Sequence, residues 1–106
     1  MRDLAFILIA IFSLAPLSVS GQTLSGNIGE GHALGRTVCA ECHRVEKGQA
    51  ATESSPAPAF QAIANDPSAT AISLRLFLGT PHRNMPNLML TEAEADDIIV
   101  YILSLK

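Results

Sequence analysis

Two cysteines and a histidine lie close together near the middle of the chain, in the pentapeptide Cys39-Ala40-Glu41-Cys42-His43. The order C-x-x-C-H is the attachment signature of c-type haem, because two thiols three positions apart can each form a thioether with a porphyrin vinyl group. The adjacent imidazole of His43 can then bind the iron as its proximal ligand. The pentapeptide therefore predicts a covalent haem site held by Cys39, Cys42 and His43.

C-x-x-C also occurs in zinc sites and in thiol redox sites. A structural zinc site generally takes four nitrogen or sulfur ligands from close sequence groups, and no second cysteine–histidine group follows His43. A thioredoxin-type dithiol lies beside a βαβ pattern, and no segment here alternates apolar and polar residues with period two. A chance C-x-x-C-H in an exported chain remains as the third alternative. A second candidate ligand near the C-terminus makes it the weakest of the three.

An electron-carrying haem needs a sixth ligand, and the candidates outside the pentapeptide are His32, His82, Met85 and Met89. A thioether sulfur favours ferrous iron and raises the reduction potential. Met85 lies in a turn-rich loop, and Pro86 stiffens that loop because its ring fixes φ. We therefore predict Met85 as the distal ligand, with His82 as the second candidate. Met89 is expected to pack against the core, and His32 to lie on the surface of the first helix.

The composition fits a small domain built around a cofactor. The chain has 106 residues, enough for one domain, and both of its cysteines lie in the pentapeptide, so no disulfide supports the fold. With four Phe, one Tyr and no Trp, its own core is modest, and a haem would supply the missing apolar mass. A net charge of −3 without any basic run excludes nucleic-acid binding.

Residues 1–20 are expected to form a secretory signal peptide. A charged start precedes an apolar run over residues 4–17, and Ser18 and Ser20 supply the small side chains typical of a cleavage site. The competing interpretation is an uncleaved membrane anchor, although a bilayer span needs about 20 apolar residues. Cleavage would leave residues 21–106 as the mature domain in the bacterial periplasm. A membrane contact is expected only through an uncleaved N-terminus, if the signal peptide is not removed.

Helical periodicity predicts an all-α fold with three main helices and one or two short ones. The last helix has the clearest signal, a capping box of Thr91 and Glu94 followed by an apolar stripe. The predicted segments are a first helix over Ile28 to Val38, a short turn near Phe60, a helix from Asp66-Pro67 to Gly79 that packs on two sides, and the last helix.

The chain resembles the class I c-type cytochromes, small single-haem electron carriers, over nearly all of residues 21–106. The resemblance is carried by the pentapeptide, by Gly31 eight positions before Cys39, by Met85-Pro86, and by a final helix reading D-D-I-I-V-Y-I-L. It implies a cytochrome c-like fold wrapped around one covalent haem c. It also implies a carrier, with no enzymatic activity, that serves redox partner proteins as a monomer in transient complexes.

The resemblance also assigns contacts around the haem. It implies that Gly31 packs against Tyr101, so that the first and last helices cross closely. It implies that a loop proline accepts a hydrogen bond from the proximal histidine, for which Pro58 is the better match and Pro56 the alternative. Such a bond would orient His43 and raise its donor strength.

Two departures from the family pattern stand out. The family often has an aromatic residue four positions before the first cysteine, where this chain has Gly35, and the surface lacks a lysine-rich ring.

Charge and loop position suggest Arg75, Arg83 and Asn84 as partners of the haem propionates. Two alternatives to a free carrier stay open: a haem-bearing subunit of a larger dehydrogenase or oxidase, and an open-site haem sensor or peroxidase-like module.

Overall fold

The computed structural model describes residues 15–16, 24–80 and 85–106. The predicted signal peptide therefore lies almost wholly outside the described residues, as do His82, Arg83 and Asn84. The described ranges contain helices α1 (Ile28–Leu34), α2 (Phe60–Asn65), α3 (Ala71–Gly79) and α4 (Glu92–Ser104), and a π-helical turn, Gly35–Cys39, that continues α1. They contain no strand, which agrees with the all-α prediction. Within the same ranges, no helix has the length and apolar character required to cross a membrane.

The first and last helices cross closely, as the family resemblance implies. A Cβ atom added at Gly31 would overlap the carbonyl oxygen of Asp97 and lie 2.8 Å from Cβ of Tyr101. At the start of α1, the Asn27 side chain accepts a hydrogen bond from the Glu30 amide (3.0 Å), and the Asn27 amide donates to Asp97 Oδ1 (2.7 Å). The crossing therefore depends on a glycine and on a polar contact between the N-cap of α1 and a residue in the middle of α4.

Among the described residues, helix α4 contributes more buried side chains to the core than any other helix. Its predicted capping box is confirmed: Thr91 accepts from the Glu94 amide and the Glu94 carboxylate accepts from the Thr91 amide. The carboxylates of Glu92 and Glu94 lie in the first turn, where their negative charge suits the positive end of the helix dipole. Ile98 and Ile99 are almost completely buried. The buried face of α4 thus contacts α1, α2 and α3 and joins them into one fold.

Helix α3 begins later than the sequence predicts. Asp66 is the C-terminal cap of α2, and its carboxylate accepts hydrogen bonds from the amide (2.8 Å) and hydroxyl (2.7 Å) of Ser68. The helix starts after Thr70, which forms a reciprocal capping box with Ser73. The prediction of Asp66 as an N-cap was wrong because an aspartate before a proline also favours a turn. The predicted end at Gly79 is confirmed.

Helix α3 packs against α4, and Leu74, Phe77 and Leu78 also line an apolar cavity, so the predicted two-sided packing stays a prediction. Leu74 is buried, but Ile72 and Leu76 are 75% and 65% exposed. Arg75 forms an ion pair with Asp96 and so joins α3 to α4. Arg75 therefore has a protein partner, which argues against its predicted contact with a haem propionate.

Candidate haem site

The pentapeptide forms a tight turn at the end of the π-helical segment. The backbone amides of Cys42 (3.2 Å) and His43 (2.9 Å) both donate to the carbonyl oxygen of Cys39. The turn places Cys39 in the core and leaves Cys42 exposed. Burial raises the pKa of the Cys39 thiol to about 11. The two thiols thus lie at the edge of the core, one facing inward and one facing solvent.

The loop after the pentapeptide holds three consecutive residues in place. The Ser55 hydroxyl donates to the carbonyl of Cys42 (2.8 Å), and the Phe60 amide donates to the carbonyl of Arg44 (2.9 Å). Between them, the His43 ring contacts the carbonyl of Pro58. Ser55 is buried although it is polar, and its hydroxyl is satisfied by this bond. The C-terminal end of the pentapeptide is therefore fixed by side-chain and backbone contacts from residues 55–60.

His43 has one ring nitrogen bound to protein and one left for a ligand. Nδ1 lies 2.6 Å from the carbonyl oxygen of Pro58, the contact predicted for Pro58 in preference to Pro56. A carbonyl can only accept, so Nδ1 carries the proton and donates, which leaves the lone pair on Nε2. A hydrogen bond of this kind orients a metal-binding imidazole and raises its basicity. The geometry gives His43 the tautomer that a proximal iron ligand requires.

An apolar cavity of about 540 Å³ lies beside His43. Its walls come from α2, α3, α4 and the pentapeptide, and the side chains are mainly aliphatic or aromatic. Cys39, His43 and Met85 line the same cavity. Its size falls within the usual range for cofactor pockets, and a thioether, a thiol and an imidazole are ligand types found in haem proteins. The residues present therefore fit a covalently attached haem.

The other predicted ligand candidates lie in different surroundings. Met89 is 83% exposed and has a positive φ of 49°, so the prediction that it packs against the core was wrong. His32 is half-buried, with Nε2 2.8 Å from a carboxylate oxygen of Glu46 and its ring stacked on Tyr101 at a centroid distance of 4.9 Å. The side chain of His32 is 36% exposed on α1, which agrees with the expected surface position, and it is also held between two partners.

Sequence reasoning missed two residues of the site. The pattern gives Ser55 no role, and it places Phe60 only near a short helical turn. The available signal was their position, three residues before and two residues after Pro58. A loop that supplies a carbonyl to an axial histidine must itself be anchored, and its flanking residues are the nearest candidates.

Comparison with known proteins agrees with this geometry. The sequence profile of the cytochrome c family matches residues 28–106. Cytochrome c-552 of Bradyrhizobium diazoefficiens is 40% identical over 93 residues, which cover 88% of each chain. No solved structure matches the chain at a significant level. The profile includes the pentapeptide, the cavity and both crossing helices, and the chain therefore belongs to the cytochrome c family, as a class I c-type cytochrome with one covalently bound haem c.

Proposed function

We propose that the protein is a periplasmic electron carrier that shuttles one electron between two redox partner proteins, with His43 and Met85 as the axial ligands of its haem. Membership of the family makes it a haem electron-transfer protein, and the proposal adds the ligands, the compartment and the mode of action. The observation that carries it is that Cys39, His43 and Met85 line one apolar cavity while Pro58 occupies Nδ1 of His43.

Each residue of the site has a defined task in this proposal. When bound, the haem supplies a one-electron ferric–ferrous couple. Cys39 and Cys42 tether the group through thioethers, and Pro58 orients His43 toward it. Met85, followed by Pro86, approaches from a stiff loop. The aliphatic walls exclude water, and both ligands stay on rigid backbone in either oxidation state, which limits reorganisation.

The compartment and the partners follow from sequence properties. The predicted signal peptide over residues 1–20 supports export to the periplasm, where thiols are otherwise prone to oxidation. The net charge of −3 favours a partner with a basic docking patch. Transient docking of this kind is sensitive to ionic strength. An electron-transfer rate that stays constant as salt is raised would contradict the electrostatic part of the proposal.

Absorption spectra of the purified holoprotein, oxidised and reduced, test the ligand assignment. The wild type should show the near-infrared sulfur-to-iron charge-transfer band of methionine ligation in the ferric state. Met85→Ala should abolish that band and lower the reduction potential, since the thioether favours ferrous iron. Met89→Ala is the matched control and should leave both unchanged, because Met89 is 83% exposed. Loss of the band in Met89→Ala, with retention in Met85→Ala, would reverse the assignment.

The open-site alternative has a direct test of its own. A haem with a free sixth position binds carbon monoxide quickly in the ferrous state, whereas a bound methionine must first dissociate. The wild type should therefore bind carbon monoxide much more slowly than Met85→Ala. Equal rates would favour a sensor or a peroxidase-like module.

One observation favours a second candidate function, a haem-bearing subunit of a larger dehydrogenase or oxidase. Ile72 and Leu76 lie one turn apart on α3 and are both largely exposed, and exposed apolar neighbours are common at protein interfaces. Haem-stained native gels of cell extract decide between the two. A free carrier migrates alone with or without the double substitution Ile72→Glu and Leu76→Glu. A subunit of a complex migrates as part of a larger species, and the double substitution dissociates that species.

A further inference from the structure

Gly35 lies where the family resemblance implies an aromatic residue, and the ring of Phe60 lies in the space beside it. A Cβ atom added at Gly35 would lie 3.3 Å from Cε2 of Phe60 and 3.9 Å from atoms of Ile98 and Tyr101. Phe60 is the first residue of α2, on the opposite side of the pentapeptide in sequence. The space beside the π-helical turn is therefore closed by an aromatic ring that comes from a different helix.

The Phe60 ring lies against the imidazole of His43. Their centroids are 5.5 Å apart with an angle of 49° between the ring planes, an arrangement that aromatic pairs favour. The centroid of a second ring, that of Tyr101, lies 6.2 Å from the centroid of the Phe60 ring. Phe60 is 3% exposed, lines the cavity, and donates its amide to the carbonyl of Arg44. Backbone and side chain of Phe60 are thus both fixed, and Phe60 is a rigid neighbour of His43.

We propose that Phe60 is a positioning residue that sets the plane of the His43 imidazole, in the place of the aromatic residue that Gly35 lacks. The His43 ring can turn only about its Cβ–Cγ bond, and the hydrogen bond from Nδ1 to Pro58 restrains this rotation at one atom. The packed Phe60 ring restrains the same rotation by contact with the imidazole, so that small changes in the ring plane are also resisted. Gly35 is needed because a side chain there would occupy the space of the Phe60 ring. This inference rests on the proposed ligation by His43.

The plane of an axial imidazole has a spectroscopic signature in the ferric holoprotein. It determines how unpaired spin is distributed over the porphyrin, and hence the proton NMR shifts of the haem methyl groups. Phe60→Leu removes the ring contact while keeping an apolar side chain of similar length. We expect the order or the spread of the methyl shifts to change, with the charge-transfer band of the sixth ligand retained.

Phe77→Leu is the matched control. It removes the same atoms from the same cavity, but from α3, where Phe77 is 58% exposed. Loss of the Phe77 ring current should move individual methyl resonances, but the order of the methyl shifts should stay that of the wild type. An unchanged pattern in Phe60→Leu, or an equal change in Phe77→Leu, would overturn the positioning role. A wild-type protein without a histidine-bound covalent haem would instead overturn the proposed function, so the two failures are distinguishable.

A double variant tests separately whether the Phe60 ring occupies the space that an aromatic side chain at position 35 would take. Gly35→Phe alone should lower the melting temperature of the holoprotein, because the new side chain meets Phe60. Combining it with Phe60→Leu frees that space, so the double variant should melt above Gly35→Phe. If the two substitutions lower the melting temperature additively, residues 35 and 60 do not share one space, and the exchange is wrong.

Discussion

Replacing Gly31 by alanine tests the crossing of α1 and α4 most directly. In an isolated helix this change would stabilise by about 1 kcal/mol, because alanine has the higher helix propensity. In the folded protein the new Cβ would lie 2.5 Å from the carbonyl carbon of Asp97 and 2.8 Å from Cβ of Tyr101. Real Cβ atoms essentially never come within 3.0 Å of a neighbour, and both neighbours here belong to the α4 framework. The helices must therefore move apart.

The cost of that movement outweighs the gain in propensity. Overpacking a close contact typically costs about 1–3 kcal/mol, and in a domain of this size each kcal/mol lowers the melting temperature by roughly 4–8 °C. Subtracting the propensity gain leaves a net loss of up to about 2 kcal/mol. Thermal unfolding of the holoprotein, followed by circular dichroism, should therefore show Gly31→Ala melting up to about 16 °C below the wild type.

Gly79→Ala is the matched control for the same chemical change. Gly79 is the last residue of α3, and a Cβ atom there would meet nothing within 4 Å. Its melting temperature should stay level or rise, since only the propensity term applies. A Gly31→Ala variant as stable as Gly79→Ala would refute the close crossing.

Three further predictions concern side chains that hold the loops. Tyr101→Phe removes the hydroxyl that donates to the buried carbonyl of Val45 (2.6 Å), so denaturant unfolding should show a loss of about 1–3 kcal/mol, the cost of an unsatisfied buried acceptor; a neutral substitution would contradict this. Ser55→Ala removes the donor to the pentapeptide and should cost about 1 kcal/mol by the same assay, and unchanged stability would show that the loop is held by its other contacts. Hydrogen bonds from the side chain and then the backbone of Ser68 hold the pKa of Asp66 below its ordinary value of 3.8. The stability that this bonding contributes is present above pH 3.8 and is lost as the pH falls. Below pH 4 the melting temperature of Asp66→Asn should therefore decline less steeply than that of the wild type. Parallel curves of melting temperature against pH would refute the linkage.

The strongest sequence patterns were the ones that local chemistry determines. The capping box of Thr91 and Glu94 is a contact between neighbours in sequence, so its spacing alone predicts the start of α4. The pentapeptide likewise contains its whole chemistry within five residues. Gly31 was predictable through the family resemblance, because two helices can approach so closely only where a side chain is absent.

The missed features depend on tertiary contacts. Asp66-Pro67 can cap a helix or close a turn, and its hydrogen bonds with Ser68 select the turn. Whether Ile72 and Leu76 are covered depends on which elements lie beyond α3, which periodicity cannot reveal. The contact between Gly35 and Phe60 joins two helical segments on opposite sides of the pentapeptide. The residues that flank each of them in sequence do not indicate this contact.

The contact between Asn27 and Asp97 spans 70 residues, and this separation has a consequence for the order of events during synthesis. Helix α1 is made early, but its partner α4 begins only 50 residues after Cys42. At translation rates of about 5–20 residues per second, α4 follows roughly 3–10 s later. Long-range contacts cannot form before both partners exist. For that interval Cys39 lies on an open segment, and it becomes buried only when the last helix completes the core, whereas Cys42 stays exposed in the folded protein.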